Sequence, residues 1–528
     1  MPETGELAPA QLYSTESGRL FHSGKIVIVT VGLPARGKTH LSVALARYLR
    51  WLGVKTQVFH LGDYRRAHVG PDHDVPDDYF HVNASPASVL MRQKILKRCR
   101  DDIFHFLNNE MGQVAVYDAV NPLAVGRKSL AKEFAKQEAQ TLFIESACDD
   151  ETIIEENVRS VKISSPDYIG WDEKDAVKHY LARIKAKIPH FETMEESDLN
   201  YIKMINAGER ISVNNRSFGY LSHRIVFYLM NLHIKARHTY FVRAGTSSEE
   251  DSYKADASLS EQGMDYARKM SETLVAHREK EAKSRKMRGS SDMRLKPLTV
   301  WTSTRRRTVE TSQFLFEAGF RVRQRSQLSQ LNPGVCERKS ERRIRAEYPE
   351  EVVKHEQDPY HHRYPRAEVR CFPLFLRGLS VTLAQSYHDL AVRMEPIILE
   401  LEREQNDLLI IAHESVLRVL YGYLMACNAT DIPSLSFPRD EIIEITPASY
   451  NNEASRVKIP DLPPEIIPGS PEDIKIPVPP SGSITPMKLD TPPKSGINSP
   501  RRRPSSPQAG LLETRDSQHL LVERARRQ

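Results

Sequence analysis

The chain has 528 residues, 40% of them hydrophobic and 27% charged, enough for two globular domains plus tails. Its apolar runs, such as Val27 to Val31 and Leu408 to Ile411, are far shorter than the roughly 20 residues of a membrane helix, so the expectation is a soluble protein with no membrane partner. The formal charge of +6 is small for this length and gathers in "REKEAKSRKMRG" and the C-terminal tail without an aromatic platform, which reads as a solvated basic linker and not as a nucleic-acid surface.

The N-terminus, residues 1–22, has no basic region followed by an apolar stretch; it reads as a flexible arm without a signal peptide. Five scattered cysteines, odd in number and without metal-ligand spacing, suit a reducing compartment and a cytosolic (cytoplasmic) location. From Lys25, "KIVIVTVG", "TQVFHLG", "QVAVYDA" and "TLFIESAC" alternate with helical stretches such as "THLSVALARYLRWLG". That rhythm predicts an α/β domain over 23–236, a parallel sheet covered by helices. "LSHRIVFYLMNLH" reads as an amphipathic connector. A second α/β domain is expected over 237–450, with "TYFVRAG", "LTVWTST" and "DLLIIAHESV" as strands. Within it, "VRCFPLFLRGLSVTLAQ", Val369 to Gln385, breaks a polar text without a clear period. It reads as a retained intron or, alternatively, as an apolar insertion that packs on a partner. The Pro- and Ser-rich segment 451–528 cannot bury enough apolar surface to offset ordering entropy and is expected to be a disordered tail.

"GLPARGKT" places Gly32, Leu33, Pro34, Ala35, Arg36, Gly37, Lys38 and Thr39 between a strand and a helix, as a phosphate-cradling loop requires. Backbone N–H groups and a helix N-terminus then face the phosphates of ATP, Lys38 reaches the transferred phosphoryl, and the Thr39 hydroxyl ligates Mg2+. Phosphoryl transfer also needs an acidic residue at a neighbouring strand end, and Asp118 in "QVAVYDA" stands there. Arg65, Arg66, Arg92, Lys162 and Arg183 are candidate clamps for a phosphorylated acceptor, although each alone reads as a surface charge. In the second domain "YFVRAGTSSEE" resembles a loop built to hold a phosphate, with Ala244 where a nucleophile would stand.

Together "GLPARGKT", "RYLRWLGVKTQVFHLGDYRR", "GQVAVYDA", "FIESACDD", "VKISSPDY" and "RIVFYLMNLH" resemble the bifunctional 6-phosphofructo-2-kinase/fructose-2,6-bisphosphatase family from about Lys25 to Tyr450. The resemblance implies an N-terminal P-loop kinase domain making fructose 2,6-bisphosphate from ATP and fructose 6-phosphate. It implies a histidine-phosphatase-like, phosphoglycerate-mutase-like α/β domain after it, and a homodimer. It sets Asp118 and Cys148 at kinase active-site positions, Asn157 at a nucleotide contact, and Arg65, Arg92, Lys162 and Arg183 at fructose 6-phosphate contacts. By its own chemistry Cys148 reads as a buried strand-end thiol. The chain departs from the family pattern: Val120 replaces a threonine, Gly126 an arginine, and Lys187 a tyrosine, with Arg127 or Lys187 as candidate stand-ins. In the phosphatase half the R-H-G loop has Ala244 for the nucleophilic histidine, and Gln330 stands for the general-acid glutamate. Arg243, Arg307 and His413 keep the anion pocket. The expected function is a kinase with a catalytically silent phosphatase half; the alternative is a non-catalytic regulator that binds nucleotide or sugar phosphate. Thr491, Ser499 and Ser505 in the tail resemble sites for protein kinases.

Overall fold

A computed structural model describes residues 8–10, 24–69, 76, 78–79, 84–158, 171–217, 219–233, 237–247, 256–287, 295–365, 385–448 and 450–462. Six strands, β1 (Lys25–Val31), β2 (Thr56–His60), β3 (Val114–Asp118), β4 (Ala139–Ala147), β5 (Tyr201–Ile205) and β6 (Arg210–Asn214), form the first sheet in the order β2-β3-β1-β4-β5-β6. The central strand β1 is buried from Ile26 to Val31 and pairs in parallel with β3 and β4, as an apolar run without alternation demands. The sheet departs from the expected parallel pattern at one edge, where β6 runs antiparallel to β5. Three successive left-handed residues, Asn206, Ala207 and Gly208, turn the chain straight back, and so short a link allows only the antiparallel return. β1 lies between two parallel neighbours reached by opposite crossovers, so the carboxyl ends of β1 and β3 flank a crevice.

The second sheet contains β7 (Thr239–Arg243), β8 (Leu298–Thr302), β9 (Arg321–Gln324), β10 (Asp407–Ala412), β11 (Glu441–Pro447) and β12 (Asn452–Lys458) in the order β12-β11-β7-β10-β8-β9. Here the tail boundary at 450 is corrected: β12 pairs with β11 along its whole length. "NEASRVK" is a half-exposed edge strand, so its polar outward face hides the pairing from a hydrophobicity reading. The flexible N-terminus is corrected too at residues 8–10. Ala10 is buried and donates its N–H to the Trp51 carbonyl at 2.9 Å, while the Tyr360 hydroxyl donates to the Pro9 carbonyl at 2.6 Å.

One hydrophobic cluster runs through both sheets. It joins Ile28, Leu45, Leu49 and Tyr228 to Phe241, Leu401 and Leu420 through helices α1 (Lys38–Trp51), α2 (Tyr220–Asn231), α3 (Glu395–Arg403) and α4 (Glu414–Leu424). The connector is thus a core helix. Among the described residues no helix is long and apolar enough to cross a membrane. Residues 369–384 and the sites Thr491, Ser499 and Ser505 lie outside the described residues.

Candidate active site and its phosphatase-like neighbour

The loop between β1 and α1 is shaped by backbone geometry. Gly32 has φ +140, and a Cβ there would lie 2.5 Å from the Ser146 carbonyl oxygen, so only a bare Cα lets the loop pass under β4. Gly37, at φ 81, is the left-handed N-cap of α1 and turns the next N–H groups toward the crevice. Lys38 folds back with its Nζ 2.6 Å from the Leu33 carbonyl. The Arg36 guanidinium donates to the Pro34 carbonyl at 3.3 Å, and Asn157 donates to the Ala35 carbonyl at 3.2 Å. Asn157, expected at a nucleotide contact, thus ties the helix Glu151–Asn157 to the phosphate loop.

Asp118, at the end of β3, collects the rest of the site. Its carboxylate accepts from the Thr39 hydroxyl at 2.9 Å and the Thr30 hydroxyl at 3.2 Å, and lies 2.8 Å from His60 Nδ1. Burial opposes its ionisation, but His60, Lys38 and Thr39 outweigh burial and hold the carboxyl down at about 2. Sequence reasoning missed His60 and Thr30. The signal for His60 was available in the register, because it is the residue of β2 directly paired with Asp118. Tyr450, from the turn between β11 and β12, stacks edge-on against His60 with ring centroids 5.0 Å apart and accepts a hydrogen bond from Arg66 at 2.6 Å. Arg66 also pairs with Asp63, so its charge is turned toward Tyr450.

The other predicted residues divide. Arg65 is buried, and with Arg92 it converges on the buried Tyr79, whose hydroxyl burial pushes up and the two guanidinium groups pull down. Cys148 is buried at the end of β4, burial raises its thiol, and its Sγ lies 3.6 Å from the Asp150 carbonyl. Lys162 and the side chains of Arg183 and Lys187 lie outside the described residues. Arg127 is corrected as a stand-in for the missing arginine. It is fully buried, donates to Glu196 at 2.6 Å and to the carbonyls of Asn121, Pro122 and Glu192, and has no reach left for an acceptor. A side chain at Gly126 would meet open space, so the position is vacant as well as altered.

In the second half, Ala244 is buried after β7. Its N–H donates to the Ala412 carbonyl at 3.0 Å, and its carbonyl accepts from Arg439 at 3.0 Å. Arg243 pairs with Glu414 at 3.3 Å, and Arg307 donates to the Gly245 carbonyl at 3.1 Å. His413 caps α4 from within this nest, and its Nε2 is buried without a hydrogen-bond partner among the described residues. Burial, then Arg307, Arg243, Arg305 and Arg439, push its pKa down to about 3. A neutral imidazole among four guanidinium groups is an arrangement that an anion completes. Gln330 comes to the same end of the sheet, since the next residue, Leu331, donates its N–H to the Ser415 hydroxyl at 3.4 Å.

The family profile described as 6-phosphofructo-2-kinase matches residues 13–236, and that described as histidine phosphatase superfamily (branch 1) matches residues 239–459. A candidate 6-phosphofructo-2-kinase/fructose-2,6-bisphosphatase of Saccharomyces cerevisiae is 41% identical over 465 residues, covering 86% of this chain and 87% of its own. The 6-phosphofructo-2-kinase/fructose-2,6-bisphosphatase 1 of Homo sapiens is 34% identical over 471 residues, 85% of this chain and 91% of its own. The Gallus gallus protein of that name, without a number, is 36% identical over 437 residues, 82% and 84% respectively.

Proposed function

Since the chain belongs to the 6-phosphofructo-2-kinase/fructose-2,6-bisphosphatase family, we propose that it is a 6-phosphofructo-2-kinase whose phosphatase-like half does not turn over. The observation that carries the reading is the meeting of Lys38, Thr39 and Asp118 at the carboxyl ends of β1 and β3. The glycine-shaped loop offers backbone N–H groups to the ATP phosphates, and Lys38, released from the Leu33 carbonyl, meets the transferred phosphoryl. Thr39 would hold Mg2+, whose chemistry when bound is to neutralise charge on the phosphate oxygens. Asp118 fixes the Thr39 hydroxyl and, being ionised, takes the proton from the 2-hydroxyl of fructose 6-phosphate. The new bond joins that oxygen to the γ-phosphorus as the bridging oxygen leaves on ADP.

The phosphatase-like half lacks the two groups such chemistry uses. A methyl at Ala244 forms no phosphoenzyme bond, and the amide of Gln330 cannot protonate a leaving alkoxide. Arg243, Arg307, Arg439 and His413 remain to bind a phosphorylated sugar without hydrolysing it.

The test is formation of fructose 2,6-bisphosphate by the full chain with Mg-ATP and graded fructose 6-phosphate, beside Lys38→Ala. Product that vanishes in the variant supports the kinase. Absence of product at saturating sugar phosphate, with ATP still bound, supports the second reading, a non-catalytic regulator. Val120, Gly126 and Lys187 favour that reading, since each departs from the family pattern at the acceptor half of the site.

A further inference from the structure

At the opposite end of β7 from the Ala244 loop, four side chains from three elements converge. His277 and Glu281 stand one turn apart on the helix Glu261–Met287 and share a face. His238 precedes β7, and Glu444 lies on β11 directly opposite Tyr240. His238 Nδ1 is 2.6 Å from one oxygen of Glu444 and 3.9 Å from one oxygen of Glu281. His277 Nε2 is 3.1 Å from the other oxygen of Glu444 and 3.9 Å from the other oxygen of Glu281. Each imidazole nitrogen thus faces both carboxylates. Glu444 is buried, and the Ser455 hydroxyl donates to it at 3.2 Å, an outer partner of the kind that fixes a ligating carboxylate. His238, His277 and Glu281 are partly exposed, which leaves an entry path.

From this quartet we infer a divalent transition-metal site, suited to Zn2+, in which His238, Glu281 and Glu444 bring their ligand atoms within 4.8 Å of one another and His277, in contact with both carboxylates, supplies the fourth ligand. Two imidazoles and two carboxylates make a four-ligand N/O set of the type zinc accepts. Ligand distances of about 2.0–2.2 Å in a tetrahedron place ligand atoms roughly 3.3 Å apart, and the separations of 2.6–3.9 Å, measured over both oxygens of each carboxylate, lie on either side of that value, so a small rotation of the carboxylates sets one oxygen of each toward the ion. A bound ion would tie β7 and β11 to the long helix. The site is independent of the kinase chemistry and of the silent phosphatase pocket.

The experiment strips the full-length protein with a chelator and titrates it with Co2+, then Zn2+. The expected result is one equivalent of Co2+ with the intense visible absorption of a tetrahedral N/O site, displaced by Zn2+. In Glu281→Gln and His277→Ala the affinity falls at least tenfold, while far-UV dichroism and kinase activity stay unchanged. Zn2+ should raise the melting temperature of the wild-type chain and not that of the variants. The inference is overturned by absence of a tetrahedral Co2+ spectrum at equimolar metal. It is equally overturned by binding that survives both substitutions and falls with His361→Ala, which would place the ion among the separate histidines His355, His361, His362 and His388.

Discussion

At the scale of single residues, the proposed silence of the phosphatase half comes down to a methyl and an amide set into a charged nest. Returning the imidazole and the carboxyl tests this directly. Ala244→His alone should trap a phosphoenzyme from labelled fructose 2,6-bisphosphate, and Ala244→His/Gln330→Glu should release phosphate at least ~100-fold faster than the wild-type chain, part of the million-fold scale of a covalent catalyst. Phosphate release no faster than wild type from the double variant would mean that something besides these two residues silences the pocket. His413 gives a pH test of the nest itself. Its folded pKa, about 3, lies below the unfolded value of roughly 6.5, so the unfolded chain binds the extra proton between those limits and stability falls as pH drops through that window. Between pH 6.5 and 5 the wild-type chain should lose roughly 2 kcal/mol more than His413→Gln, read from urea unfolding at each pH. In the kinase half, Val120→Thr/Gly126→Arg should lower the half-saturating fructose 6-phosphate at least ~10-fold, because a charge-assisted hydrogen bond contributes about 1.5–3 kcal/mol. Ala244 and Gln330 were legible because a motif names the residue that should be there. The environment of His413 was not, since four arginines from three separate segments meet it only after folding.

At the scale of elements, the loop and the first turn of the helix Ala124–Ala135 hold the kinase site in shape by opposite means. Gly32 does so by having no side chain: Gly32→Ala should cost about 1–3 kcal/mol of stability by differential scanning fluorimetry and abolish ATP binding, because Cβ collides with the Ser146 carbonyl. Arg127 does so by filling a buried socket, and Arg127→Met should cost about 3–5 kcal/mol in urea unfolding by stranding the buried Glu196 carboxylate and withdrawing a donor from four carbonyls. Unchanged stability in either variant would refute the corresponding role. The apolar strands β1, β3, β4, β7, β8 and β10 were readable as short apolar runs rich in β-branched and aromatic residues. β6, β9 and β12 were not, because edge strands are short and half-exposed, and their pairing is decided by turns and neighbours and not by their own composition. The same limit hid His60. "TQVFH" predicts a strand, but only the register with β3 shows that its last residue faces Asp118.

At the scale of the whole molecule, α1 joins the two halves: it begins at the phosphate loop and ends against the second domain. Arg47 of α1 donates to Glu402 of α3 at 2.7 Å, both side chains are buried, and the Tyr423 hydroxyl donates to the same carboxylate oxygen at 2.6 Å. One turn of contacts beside it reinforces the join, with Tyr48 stacked on Tyr228 at 4.3 Å and donating to Glu395 at 2.9 Å. A buried pair of this kind is no great source of stability in itself, but removing one charge strands the other, at a cost of about 3–5 kcal/mol. Glu402→Gln keeps the shape and removes the charge, leaving the Arg47 guanidinium uncompensated in the shared core. The expected outcome in scanning calorimetry is one transition, shifted down, for the entire folded chain, with kinase activity lost at the same temperature. Two separated transitions, or an unmoved one, would show that the halves fold independently. On this reasoning the second domain remains necessary to the first even without catalysis: the helix that carries Lys38 and Thr39 buries Leu45, Tyr48 and Leu49 in a core that the second domain completes.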